Sequence, residues 1–159
     1  MEFLPIDLGT HGDLCVRFRV DAHVCSFGNA DRFHRDHGPA GEGYLAWLGR
    51  RMREMPGSCV HAWSGGRVVG QIDMGRCREE PALGYVNLYY LIPERRGSGL
   101  AAGIDAYACG FLNGQGFRAA RLSVSPSNAR AVRFYERRGW QNLGPRPGRP
   151  EVLWMERDL

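Results

Sequence analysis

The stretch Arg96-Gly97-Ser98-Gly99-Leu100-Ala101 decides how this chain is read. It follows an apolar run, Tyr85 to Pro93, and opens a segment in which Leu100, Ile104, Tyr107, Ala108, Phe111 and Leu112 recur at helical spacing until Gly114. A strand that passes through a loop poor in side chains into a helix N-terminus gathers unpaired backbone N–H groups and the positive end of a helix dipole at one point. That geometry binds phosphate.

Outward from the loop, the pattern predicts alternating elements. Leu83 to Ile92 is aromatic and apolar throughout, as in a strand buried on both faces. Cys59 to Trp63 and Arg67 to Met74 form a hairpin around Ser64-Gly65-Gly66. Tyr44 to Met55 places Leu45, Leu48, Met52 and Met55 at helical spacing and stops at Pro56-Gly57. Ser26 to Gly43, polar and rich in Asp, His and Gly, is expected to be loop. Residues 2–8 suggest a short strand, and Thr10-x-x-Asp13 then resembles a capping box opening a helix with Leu14, Phe18, Ala22 and Cys25 on one face. Leu14, Val16, Phe18, Val20 and Ala22 also alternate with period two, so the segment by itself fits a strand as well.

Downstream, Ala119 to Val124 is a strand, and Ser125-Pro126-Ser127-Asn128 stops it and caps a helix carrying Ala131, Phe134 and Tyr135 on one side. That helix ends at Gly139. Trp140 to Leu143 and Glu151 to Met155 close the chain as a hairpin across a Gly/Pro-rich connection. Strands with interspersed helices around one sheet predict a mixed α/β (α+β) fold, and a length of 159 residues suits a single domain, 1–159.

Composition narrows the chemistry. The 21 basic residues are all arginine, which excludes a catalytic lysine and the lysine of a Walker-type loop. The net charge of +4 suits an anionic ligand, but no arginine run argues for nucleic acid. Five scattered cysteines, with no C-x-x-C pair, suggest reduced thiols of a cytoplasmic protein, and no apolar stretch is long enough to span a membrane. His34-x-x-His37 beside Asp31 and Asp36 lacks the ligand cluster a zinc site needs, so no metal is expected.

Two motifs coincide with one family. Leu91-Ile92-Pro93 followed by Arg96-x-x-Gly99-x-Ala101 resembles the acetyl-CoA motif of the GNAT superfamily of N-acetyltransferases. Asn128, Ala131, Tyr135, Gly139 and Trp140 fall on that family's second signature. The resemblance runs from about residue 84 to 140. It implies a mostly antiparallel twisted sheet flanked by helices, with two strands splayed at the acetyl-CoA site. It implies that backbone N–H groups from Arg96 through Gly97, Ser98, Gly99 and Leu100 to Ala101 wrap the pyrophosphate, and that Leu91 and Ile92 offer backbone groups to the pantetheine and the acetyl carbonyl. Asn128 and Ala131 would border the pantetheine arm, and Tyr135 would protonate the departing thiolate. As isolated residues, Asn128 would be a helix cap and Tyr135 a core tyrosine beside Phe134.

The acceptor side carries fewer signals. Strand positions where many members of the family place a glutamate hold Tyr85, Asn87 and Tyr89. Alternation puts Asn87 and Tyr89 on the face of Leu91, and with Asp31 and His34 they are the candidate acceptor-binding residues. His61 and Asp73 are candidate proton acceptors on neighbouring strands. The expected reaction is acetyl transfer from acetyl-CoA to a primary amine of a small molecule or peptide, without nucleic-acid or membrane partners; dimers are common in proteins of this kind. Two other classes remain. One is a non-catalytic CoA or acyl-CoA binding module. The other is a dinucleotide-binding oxidoreductase, suggested by Gly97-x-Gly99-x-x-x-Gly103, although Arg118 and Arg121 stand where that fingerprint wants an acidic residue.

Overall fold

A computed structural model describes residues 1–159. Strand β1 (Glu2–Pro5) leads to helix α1 (Leu8–Phe27). The helix starts at Asp7, ahead of the expected capping box, because the Asp7 carboxylate accepts from the Gly9 and Thr10 N–H groups at 2.9 and 3.3 Å. Gly28, at φ 80°, terminates it. These two end signals settle the helix-or-strand ambiguity: Cys15 and Phe18 are buried one turn apart, and the period-two alternation has no sheet to serve.

The loop expected over Ser26 to Gly43 instead contains a two-turn helix, α2 (Asp31–His37). Its single apolar residue, Phe33, is fully buried against the cluster of Ile6, Cys15, Tyr44 and Leu48, and one anchor in seven residues leaves no periodicity to detect. Helix α3 (Glu42–Glu54) follows. The hairpin of β2 (Cys59–Ser64) and β3 (Arg67–Arg76) turns at Gly65 and Gly66, both at positive φ as a two-residue turn of this hand requires. Then come β4 (Gly84–Leu91), a short 3₁₀ turn at Pro93–Arg95, α4 (Leu100–Gly114), β5 (Ala119–Val124) and α5 (Ala129–Arg137). The closing hairpin, β6 (Gln141–Arg146) and β7 (Arg149–Asp158), extends through most of the Gly/Pro stretch expected to be connection.

The seven strands form one sheet in the order β1-β2-β3-β4-β5-β7-β6, antiparallel except for β4 beside β5. Helix α4 packs Ile104, Ala108 and Leu112 into the main core with Ile72, Met74 and Leu122. Helix α1 lays Phe18 on Leu88 and Tyr90. No helix is long and apolar enough to cross a membrane.

Two irregularities of β4 make the site. In the pairing with β3, Asp73 faces Leu88 and Met74 faces Val86, so Asn87 is an extra, bulged residue. The bulge breaks the alternation assumed from the sequence: Val86 joins the layer of Tyr89 and Leu91 in the main core, while Leu88 and Tyr90 face α1. The shared face expected for Asn87 and Tyr89 therefore does not carry through the strand. In the pairing with β5, contact stops at Val86 and Leu122, although β4 continues to Leu91 and β5 to Val124. Beyond that point the strands splay, as expected.

Candidate active site

The splay opens a cleft of about 1160 Å³. Its lining changes character from one end to the other. At the end near α4 it is bordered by Leu91, Arg96, Gly97, Gly99 and Ala101, with Asn128, Ala131 and Tyr135 opposite. Toward α1, α2 and α3 it is bordered by Arg19, His23, Arg32, Trp47, Arg51 and Asn87.

The glycine loop supplies donors. Gly97 and Gly99 sit at φ 84° and 85°, a conformation that side chains oppose, and Gly99 is the residue before the first turn of α4. The N–H groups of Gly97, Gly99, Leu100 and Ala101 have no acceptor within the chain. Those of Arg96 and Ser98 differ from expectation, being bonded to Pro93 O and Arg95 O at 3.1 and 3.4 Å. The Arg96 side chain is also committed: Nε donates to Leu91 O at 2.9 Å and the guanidinium pairs with Asp21 on α1. Arg96 thus fastens the loop to the end of β4 and to α1. Arg130, at the start of α5, lies over the loop, since a Cβ on Gly97 would come within 3.0 Å of its Nη2.

Leu91 reaches the cleft, but Ile92 does not, because its N–H donates to Val69 O at 3.0 Å across the β3 side. Ser98 and Leu100 direct no side chain into the cleft lining. Asn128 acts as the cap of α5, its Oδ1 accepting from Ala131 N–H at 3.2 Å, while its side chain also borders the cleft.

Tyr135 is held on three sides by rings, with centroids at 5.5 Å to Phe134, 6.0 Å to Tyr89 and 6.2 Å to Trp140. Burial, with the nearby Asp105 carboxylate adding to it, pushes the phenol well above its ordinary range. The hydroxyl therefore keeps its proton at any physiological pH.

Of the acceptor candidates, Asn87 and Tyr89 line the cleft, whereas Asp31 and His34 are exposed and outside it. Helix α2 instead presents Arg32, Asp36 and His37. His61 and Asp73 also lie outside the cleft, in a buried network in which Tyr44 and Gln71 donate to Asp73 at 2.6 and 2.8 Å and Gln71 faces His61 at 3.3 Å. Burial raises the Asp73 carboxyl and lowers His61 to about 4.

Sequence reasoning missed three residues. Arg19 of α1 donates to the carbonyl of the bulged Asn87 at 2.7 Å, and Arg51 of α3 lies with its guanidinium over the Trp47 ring at 5.2 Å. Asp105 is fully buried on α4 and accepts from Trp140 Nε1 at 2.9 Å, Arg138 Nε at 3.0 Å and Arg157 Nη1 at 2.8 Å. A lone acid inside an apolar helical stripe was the available signal for Asp105.

A bulged strand splayed from its parallel neighbour and running into a donor-rich glycine loop defines an acyltransferase of the N-acetyltransferase fold. The acetyltransferase (GNAT) family model matches residues 23–140, and the chain belongs to that family. No curated protein sequence matches the chain. Among solved structures, the PaiA N-acetyltransferase from Thermoplasma acidophilum in complex with coenzyme A is similar at 16% identity over 99% of this chain and 98% of its own, with a TM-score of 0.78. A ribosomal-protein-alanine N-acetyltransferase from Brucella melitensis is 16% identical over 100% of both chains, with a TM-score of 0.70. YncA, a putative acetyltransferase from Salmonella typhimurium with its cofactor acetyl-CoA, is 16% identical over 100% of this chain and 94% of its own, again at 0.70.

Proposed function

We propose that the chain moves the acetyl group of acetyl-CoA to a primary amine of a small molecule or peptide, with Tyr135 as general acid. The observation that carries this reading is the conjunction, in one cleft, of the unpartnered N–H groups of Gly97, Gly99 and Ala101 with the protonated Tyr135 hydroxyl. The residues fit the co-substrate. Gly97, Gly99, Leu100 and Ala101 would hold the pyrophosphate by their N–H groups with Arg130 beside them, and the unpaired edge of β4 up to Leu91 would align the pantetheine.

Acetyl-CoA supplies the acyl carbon: the amine nitrogen bonds to it, the carbon–sulfur bond breaks, the amine gives up a proton and the sulfur leaves as a thiol. Tyr135 delivers the proton the sulfur requires and recovers one afterwards through the open cleft. Burial weakens the phenol as an acid and strengthens a thiolate in the same pocket as a base, so the two shifts run in the same direction and largely offset each other. On the acceptor side, Asp36 and Glu79 are the carboxylates of the cleft, and each is paired with an arginine, Arg32 at 3.5 Å and Arg146 at 2.5 Å.

Tyr135→Phe removes one hydroxyl and leaves the ring packing. Turnover, followed as free thiol released from acetyl-CoA, is expected to fall by about 10²–10⁴-fold while the acetyl-CoA thermal shift is kept. Undiminished turnover would return Tyr135 to a packing role.

A further inference from the structure

The acceptor end of the cleft holds buried donors that nothing in the chain satisfies. Arg19 Nε, Arg51 Nε and Asn87 Nδ2 are each shielded from solvent and make no hydrogen bond, and all three residues line the cleft. Every one of these unmet groups is a donor. Buried polar groups are almost always paired, so three together call for an acceptor-rich ligand.

Charge gives the same answer. Arg32, Arg146 and Arg149 around the cleft are paired with Glu151, Glu79 and Glu151 respectively, whereas Arg19 and Arg51, like Arg76, Arg78, Arg130 and Arg137, form no ion pair, and of these six only Arg19 and Arg51 also hold a buried Nε without an acceptor. Asp73 lies behind them and feels both guanidiniums, yet its oxygens are taken by Tyr44 and Gln71. The place for Arg51 is built into the sheet: a Cβ on Gly75 of β3 would fall 2.1 Å from Arg51 Nη1, so this glycine makes room for the guanidinium.

Position sets the size of the ligand. Arg19 is tied to the carbonyl of Asn87, the first residue of β4 beyond its pairing with β5 and so the inner end of the free edge proposed to align the pantetheine. Gly75, beneath Arg51, pairs with Tyr85, two residues before Asn87, a span of roughly 7 Å along a strand. An anion held there sits within a few bonds of the nitrogen that attacks.

We propose that the acceptor is an amine carrying its own carboxylate close to the nitrogen, the α-amino acid class, and that Arg19, Arg51 and Asn87 bind this carboxylate. This rests on the acetyltransferase reading above and adds the substrate class. It favours free amino acids over polyamines and protein lysines, which bring no anion to that point.

The test is thiol release from acetyl-CoA with the standard amino acids, their α-carboxamides and their decarboxylated amines as matched sets. At least one amino acid is expected to exceed its carboxamide in kcat/KM by about 10- to 100-fold, the worth of hydrogen bonds to a charged group. Arg51→Gln and Arg19→Gln are expected to shrink that ratio, chiefly through KM, with the acetyl-CoA thermal shift retained. Carboxamides or decarboxylated amines used as well as the acids would overturn the subsite and leave acetyl transfer standing. If no amine is acetylated, the acetyltransferase reading fails, and calorimetry with N-acetyl amino acids on the CoA-saturated protein decides the subsite: binding that weakens in Arg51→Gln supports it, and no binding overturns it.

Discussion

Asp105→Asn isolates the charge that joins α4 to the closing hairpin. Asp105 has no exposed surface, and its carboxylate takes donors from Trp140, Arg138 and Arg157 at 2.8 to 3.0 Å. Asparagine has nearly the same shape but carries no charge, and its amide turns a donor toward groups that are themselves donors. Breaking a buried ion pair costs about 3–5 kcal/mol. The Arg138 and Arg157 side chains keep 35% and 28% exposure and can turn toward water, which lowers the expected loss to about 2–3 kcal/mol. For a chain of this size that corresponds to a fall in Tm of about 4–12 °C, measurable by calorimetry or circular dichroism. The loss also reaches the cleft: Trp140 is anchored by Asp105 and packs edge-on against Tyr135 at 6.2 Å, so kcat should drop more than acetyl-CoA affinity. A Tm change below about 2 °C, with unaltered kcat, would refute the claim that this carboxylate organises the α4–hairpin junction.

Gly99→Val meets nothing within 4 Å of its added Cβ but is strained by the φ of 85°, so it should lower Tm and also lose the thermal shift from acetyl-CoA, which at 100 times the dissociation constant is worth about 2.7 kcal/mol in the parent. An intact shift would remove the loop from the binding site. His23 and His61, both lowered by burial to about 4, should make the protein lose stability as pH falls from about 6.5 toward 4. In that window the unfolded rings take up protons that the folded ones refuse, a slope of at most about 1.4 kcal/mol per pH unit per ring. Chemical denaturation at pH 7.5, 6 and 5 should show the decline, and a flat profile would contradict it. On α2, Arg32→Ala should change which amines are accepted while His34→Ala should not, because only Arg32 lines the cleft; an amine panel giving the reverse would place the helix differently.

Much of the fold was legible because its punctuation is local. Gly65-Gly66, Pro56-Gly57 and Asn128 each act through their own φ or their own side chain, so turn, stop and cap can be read without knowing the partner element. Two of the features that failed are long-range. Helix α2 exists because Phe33 fills a hole between Tyr44 and Cys15, which no window of seven residues contains. The bulge at Asn87 is a mismatch in register between β3 and β4, and an apolar strand pattern has the same appearance with or without it.

The same distinction divides the site. The loop and Tyr135 were readable as motifs because phosphate binding by successive N–H groups is a property of contiguous chain. The acceptor end is assembled from α1, α2, α3 and β4, and its informative residues are defined by what they lack. Among 21 arginines, Arg19 and Arg51 carry no local mark; their standing comes from buried nitrogens without acceptors. Composition spread the basic charge evenly enough that +4 indicated only a taste for anions. Folding pairs some of those arginines with carboxylates of the chain and leaves the Nε of Arg19 and Arg51 buried without an acceptor, and the proposed carboxylate subsite rests on that difference.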